Sequence, residues 1–227
     1  MKVDLTAAVY FDAGHTLLHP RQSVGLVYSE VAERFGVKEE AELLDAGFRV
    51  AWKKLKVPSG ENVRRDEKEW WKRIVRETWR DSELMEQLPF NDYFETVYQE
   101  FARPELWSVY PDVWELLEWI NKHGITCGIL SNWDDRLHPL LSGHGLARYF
   151  DPVIISAEHG VSKPSPDIFK IAEALTSDKC NKYLLVGDDA ECDQEGAKNA
   201  GWEFYHVQRP HQNLTNLLNL FAKSYLE

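Results

Sequence analysis

The chain has 227 residues, enough for one well-buried core and one sizeable insertion. Its hydrophobic fraction of 44% and charged fraction of 28% are ordinary for a globular protein, while a formal net charge of −11 argues against nucleic acid or an anionic membrane as partner. Cys127, Cys180 and Cys192 are odd in number and lack metal-ligand spacing, so reduced thiols are expected.

At the N-terminus Asp4 and Thr6 interrupt any apolar leader, and no run approaches the roughly 18 apolar residues of a membrane span. Cytoplasmic residence without a membrane partner is the expectation. A first strand is predicted over Ala7 to Phe11. From about residue 20 the pattern turns helical: Leu26, Val27, Val31 and Phe35 recur at helical spacing until Gly36. A second helix is predicted from Glu39 to Leu55, followed by a turn at Pro58-Ser59-Gly60. Two more helices carry Trp70, Trp71, Ile74, Val75 and Trp79, then Phe94, Val97, Tyr98 and Phe101. No strand is predicted among them.

After Pro104 the rhythm changes. Pro111 opens a helix with Val113, Leu116, Leu117 and Ile120 on one face, closed by Gly124. Strands are predicted at Ile125 to Leu130, Val153 to Ile155, Tyr183 to Val186 and Glu203 to Val207. Helices are predicted between them at Leu137 to Leu146, Pro166 to Leu175 and Asp193 to Ala200. Such alternation implies an α/β protein whose parallel sheet is covered on both faces. The helical stretch falls outside that alternation. The expected organisation is a core of residues 1–19 and 105–227 with a helical-bundle cap inserted over 20–104.

In an open parallel sheet, ligands bind beyond the carboxyl ends of the strands. The polar residues that follow the predicted strands are Asp12, Ser131-Asn132, and Asp188-Asp189 with Asp193, and Lys163 lies shortly after another strand. Carboxylates suit a hard cation such as Mg²⁺, and a hydroxyl with an ammonium suits phosphoryl oxygens. Singly each residue is ordinary loop chemistry. Together, in this order and each at a strand end, they point to one site.

The segments Asp12-Ala13-Gly14-His15-Thr16, Ser131, Lys163, and Asp188 with Asp193 resemble the four motifs of the haloacid dehalogenase superfamily. The resemblance runs from residue 5 to about 207, and Glu195-Gly196-Ala197 with Ala200-Gly201 match the family's habit. Trp70-Trp71, the stretch "SNWDDRL" and Cys192-Asp193 look like one particular branch. The resemblance implies a Rossmann-like core, a helical cap and Mg²⁺-dependent phosphatase activity on a small phosphorylated molecule. It implies Asp12 as the nucleophile that takes the phosphoryl group, with Asp12, the Gly14 carbonyl, Asp188 and Asp193 holding Mg²⁺. Ser131, Asn132 and Lys163 would bind the phosphoryl oxygens, Lys163 also offsetting the charge around Asp12.

One position departs from the pattern. The family's phosphatases carry an acid/base aspartate where this chain has Gly14, and such help is typically worth about 10²–10⁴-fold in rate. The metal site keeps its backbone carbonyl, but the proton shuttle is missing. Three readings follow: a phosphatase of modest or selective activity, a phosphonatase-like hydrolase using one of Lys53, Lys54, Lys56, Lys68 or Lys72, or a non-catalytic protein that binds a phosphorylated ligand or a partner. His15 is the nearest surrogate acid, weighed against an ordinary loop histidine. The cap tryptophans Trp52, Trp70, Trp71 and Trp79 are expected to pack a helical bundle.

Overall fold

A computed structural model describes residues 6–55, 63–176, 178 and 180–226. The turn expected at Pro58-Ser59-Gly60, together with Lys56, lies outside them. Seven strands are described: β1 (Ala8–Phe11), β2 (Leu18–Pro20), β3 (Trp107–Val109), β4 (Cys127–Ser131), β5 (Val153–Ile155), β6 (Tyr183–Gly187) and β7 (Glu203–His206). Two compact units share the chain, one of Met1–His19 with Val109–Glu227 and one of Pro20–Ser108. It passes from one to the other through β2 and β3, short strands that sequence pattern does not predict.

The first unit is built on a five-stranded parallel sheet in the order β5-β4-β1-β6-β7. All residues of β1 and β4 are buried, as a strand covered on both faces requires. Ala8 and Tyr10 alternate onto one face, where they meet Leu130, Ile154, Phe169, Leu185 and Trp202. The Tyr10 hydroxyl is kept satisfied inside this core by donating to the Ala172 carbonyl at 3.0 Å. The connection after β1 leads toward β4, whereas the one after β6 leads toward β7. The topological switch therefore falls between β1 and β6, and the crevice it opens lies beyond Phe11 and Gly187.

Helices α5 (Pro111–Lys122), α6 (Leu137–Gly143), α7 (Ser156–His159), α8 (Pro166–Thr176), α9 (Glu195–Ala200) and α10 (Leu214–Leu226) cover this sheet, the first four helices belonging to the other unit. α10 has no counterpart among the predicted elements. It packs on α5, with the Trp119 and Phe221 rings 5.5 Å apart. The predicted helix from Asp193 to Ala200 is α-helical only from Glu195, because a π-helical turn occupies Ala190–Gln194.

The second unit contains α1 (Val24–Arg34), α2 (Ala41–Lys54), α3 (Val63–Thr78) and α4 (Phe90–Glu100). Ser23 caps α1 by accepting from Leu26 N–H, and Gly36 ends the run at φ +80°. Trp79 and Tyr93 lie fully buried at its centre with rings 5.5 Å apart and nearly perpendicular. Trp52, Trp70 and Trp71 form a second aromatic group. Lys54 and Lys68 are ion-paired with Glu77 and Glu95 on largely exposed surface, unlike the desolvated lysine that Schiff-base chemistry needs.

Candidate active site

Asp12 is the first residue beyond β1, and its N–H still bonds to the Val186 carbonyl of β6 at 2.9 Å. The ladder thus carries the carboxylate straight to the switch-point crevice. Ser131, the last residue of β4, donates its hydroxyl to Asp12 Oδ1 at 3.0 Å. Lys163 Nζ donates to the same oxygen at 2.7 Å and to Asp193 Oδ1 at 2.6 Å. Lys163 and Asp193 are buried, and the Asp12 side chain is only 13% exposed. Carboxylate oxygens of Asp12, Asp188 and Asp193 all come within 4.8 Å of one another.

Each side chain is held by its own loop. Asn132 accepts from Lys163 N–H through Oδ1 and donates through Nδ2 to the Lys163 carbonyl, both at 2.8 Å. Its side chain therefore holds the backbone of Lys163 in place. Asp189 caps the π-helical turn by accepting from the N–H groups of Glu191 and Cys192. This turn carries Asp193 inward, where Oδ2 accepts from Asp189 N–H at 3.0 Å. The carboxylate folds over Gly187 so closely that a Cβ there would lie 2.2 Å from Oδ2, so position 187 must be glycine. Thr16, which sequence reasoning missed, is buried and donates to Asp188 Oδ1 at 3.1 Å. The Gly14 carbonyl accepts from Thr16 N–H at 2.6 Å and keeps a second lone pair for a further partner.

Three carboxylates thus face a single ammonium. Burial pushes the Asp193 carboxyl up to about 6, against the pull of Lys163. Burial likewise raises Asp12, with Lys163 opposing and the Asp188 charge adding to it, and raises Asp188, reinforced by Asp193. Burial alone would depress Lys163, but Asp12 and Asp193 lift it above the ordinary lysine range. An excess of negative charge on hard oxygen donors fits a cation such as Mg²⁺.

A cavity of about 410 Å³ opens beside Asp188, lined by His15, Tyr110, His206 and Arg209 among others. His15 is exposed at φ +54° and lines the same cavity as Asp188. Arg209, also absent from the sequence reading, forks onto Asp112 at 2.8 and 2.9 Å, donates to the Thr16 carbonyl at 2.9 Å and stacks 3.7 Å from the Tyr110 ring centre. Only its neighbours Pro210 and the terminal apolar run mark the segment in sequence, and neither signals an arginine anchor.

The model of the haloacid dehalogenase-like hydrolases matches residues 6–201. The chain belongs to this hydrolase family. Haloacid dehalogenase-like hydrolase domain-containing protein 3 of Danio rerio is 30% identical over 217 residues, covering 92% of this chain and 88% of its own. That is the branch which Trp70-Trp71, "SNWDDRL" and Cys192-Asp193 resemble. Among solved structures, a HAD phosphatase from Thermococcus onnurineus superposes with a TM-score of 0.64 at 22% identity, covering 95% of this chain and 97% of its own. L-2-haloacid dehalogenase from Xanthobacter autotrophicus superposes at 0.63 and 23% identity, covering 95% and 87%. A phosphatase and a dehalogenase match the fold equally well, so the haloacid dehalogenase fold alone does not select the reaction.

Proposed function

We propose that the protein is a Mg²⁺-dependent phosphatase that hydrolyses a small phosphorylated molecule through an aspartyl-phosphate on Asp12. The observation that carries this reading is the Asp12 carboxylate held on Oδ1 by Ser131 and Lys163, with Asp188 and Asp193 within 4.8 Å. Mg²⁺ would be held by Asp12, Asp188, Asp193 and the Gly14 carbonyl, and would supply charge that neutralises phosphoryl oxygens. Ser131 and Lys163 already converge as donors beside the nucleophile, where they suit the equatorial oxygens of a phosphoryl group in transfer. An Asp12 oxygen attacks phosphorus, the bond to the leaving oxygen breaks, and water then releases inorganic phosphate and regenerates the carboxylate.

We assign the helical unit, expected as a cap over 20–104, the selection of substrate, and the cytoplasm as the setting, where Cys127, Cys180 and Cys192 stay reduced; all three are free thiols. The test is a Mg²⁺-dependent turnover screen over phosphate esters, acyl phosphates and phosphonates with wild type and Asp12→Asn. Turnover that needs both Mg²⁺ and Asp12 supports the reading. Binding of inorganic phosphate without any turnover would move it to the non-catalytic alternative that Gly14 keeps open.

A further inference from the structure

Ser131 and Asp12 are hydrogen-bonded, and two residues beyond each the same two turns meet again. A Cβ built on Gly14 would lie 3.1 Å from Trp133 Cζ3, with Cη2 and Cε3 at 3.9 and 4.0 Å. The backbone at Gly14 is not in the left-handed region, so conformation does not demand a glycine there. Space is tight instead: a side chain at position 14 would start against the benzo ring of Trp133, which would have to give by a few tenths of an ångström to admit it.

Trp133 is anchored where it stands. Its N–H donates to Ser156 Oγ at 3.1 Å, and its carbonyl accepts from the Ser156 hydroxyl at 3.1 Å and from Ala157 N–H at 3.2 Å. Immediately after it, Arg136 grips Asp134 through Nε and Nη2 at 2.8 and 2.7 Å, a buried fork that fixes the loop. The ring carbons next to Gly14 have no proton to transfer. His15, the neighbouring titratable group, is exposed and shares a cavity with Asp188.

We propose that Trp133 and Gly14 together determine specificity, walling the nucleophile's turn with carbon. This confines turnover to phosphoryl compounds whose leaving group departs without a proton, namely aryl and acyl phosphates. The inference rests on the phosphatase reading above. As Asp12 bonds to phosphorus, the electron pair of the breaking P–O bond goes to the leaving oxygen. A phenolate or carboxylate accepts that pair readily and takes any proton later from water. An alkoxide does not.

The experiment measures kcat/KM for p-nitrophenyl phosphate, acetyl phosphate and glycerol 2-phosphate, with Mg²⁺. It compares wild type, Gly14→Asp, Trp133→Ala and the double variant, with Asp12→Asn as control. Wild type should prefer the aryl and acyl substrates over the alkyl ester by on the order of 100-fold or more. Gly14→Asp alone should not improve alkyl hydrolysis, because Trp133 crowds the new carboxylate. The double variant should exceed Trp133→Ala on the alkyl ester by about 10- to 1000-fold. If Gly14→Asp gains as much with Trp133 present as without it, or wild type treats all three substrates alike, the proposal is overturned. Absence of Asp12-dependent turnover on every substrate would instead overturn the phosphatase reading itself. Trp133→Leu takes the place of Trp133→Ala if that variant does not fold.

Discussion

Asn132 and Lys163 exchange two hydrogen bonds of 2.8 Å, the side chain of one spanning the backbone N–H and C=O of the other. This clamp fixes the peptide from which the buried ammonium reaches Asp12 and Asp193. Asn132→Ala should leave both backbone groups of Lys163 without these partners and let Nζ drift. A misplacement of about 1 Å near the chemistry costs roughly 10²-fold, so kcat should fall by about that factor while the protein still folds. Steady-state kinetics decide it: a variant with unchanged kcat would show that Lys163 is positioned by its ion pairs alone.

Asp193, with Asp12 and Asp188 raised in the same direction, makes the stability of the metal-free protein depend on pH. The Asp193 carboxyl is raised by burial from the ordinary value near 3.8 to about 6, so the folded state holds that proton more tightly than the unfolded chain does. The stabilisation is therefore complete below pH 4 and is lost as pH rises through about 6. At about 1.4 kcal/mol per unit the swing is roughly 3 kcal/mol. Asp193→Asn cannot titrate, so in EDTA its stability should gain on wild type across that interval. Urea unfolding at several pH values measures this, and a constant difference would mean that Asp193 stays ionised throughout. Added Mg²⁺ should reverse the wild-type slope, since the cation competes with protons for the same oxygens.

Arg209 ties two other pieces of chain together: the start of α5, through Asp112 and the Tyr110 ring, and the nucleophile's turn, through the Thr16 carbonyl. Thr16 in turn donates to Asp188. Arg209→Ala should cost roughly 2–3 kcal/mol, less than the 3–5 typical of a fully buried pair because both partners keep some exposure. Mg²⁺ affinity should weaken as well, because Asp188 loses a fixed donor. Calorimetry beside urea unfolding separates the two effects. Weakened stability with unaltered Mg²⁺ affinity would limit Arg209 to a structural part.

These relationships explain what was readable from sequence and what was not. The convergence of Asp12, Ser131, Lys163, Asp188 and Asp193 was legible because a parallel sheet gathers whatever follows its strands at one end. Burial direction was not legible in Gly187-Asp188-Asp189-Ala190-Glu191-Cys192-Asp193. Its acidic residues look alike there, and only the π-helical turn and the missing Cβ of Gly187 decide that Asp193 turns in while Asp189 caps. Arg209 and Trp133 act on residues distant in the chain, so no local spacing announces them, and the same distance hides the bond between Asn132, legible at its strand end, and the Lys163 backbone. The last helix is a different case. Leu214, Leu217, Leu218 and Phe221 stand at i, i+3, i+4 and i+7, all buried, and that periodicity was available to be read.

In the helical unit the Tyr93 hydroxyl accepts from Trp79 Nε1–H at 3.0 Å and donates to the Tyr28 carbonyl at 3.1 Å, all out of water. Tyr93→Phe preserves the ring contact with Trp79 but strips the indole and the carbonyl of this partner together. The Tyr28 carbonyl lies inside α1 and keeps its helical partner, so the indole N–H is the group left unsatisfied, and a loss of roughly 1–3 kcal/mol is expected. Denaturant unfolding checks it. A change below about 0.5 kcal/mol would mean that water reaches the indole.

Asp12 stands at the centre of the proposed chemistry, and its replacement gives the most direct outcome. Asp12→Asn keeps the shape and an acceptor for Ser131 and Lys163, but an amide does not attack phosphorus. It also removes one of the three negative charges that Lys163 faces, which relieves like-charge repulsion while weakening the lysine's ion pairing. Folding should therefore survive, with stability within about 2 kcal/mol of wild type, while turnover falls to the background of the uncatalysed reaction. Brief reaction of wild type with labelled acetyl phosphate, stopped in acid, should leave label on the peptide containing Asp12. Hydroxylamine, which cleaves acyl phosphates, should release it, and Asp12→Asn should carry none. Label on any other peptide, or wild-type rates in a contamination-free Asp12→Asn preparation, would assign the nucleophile elsewhere. Asp188 would then be the next carboxylate to replace, since it too lies at the switch point with one oxygen held by Thr16.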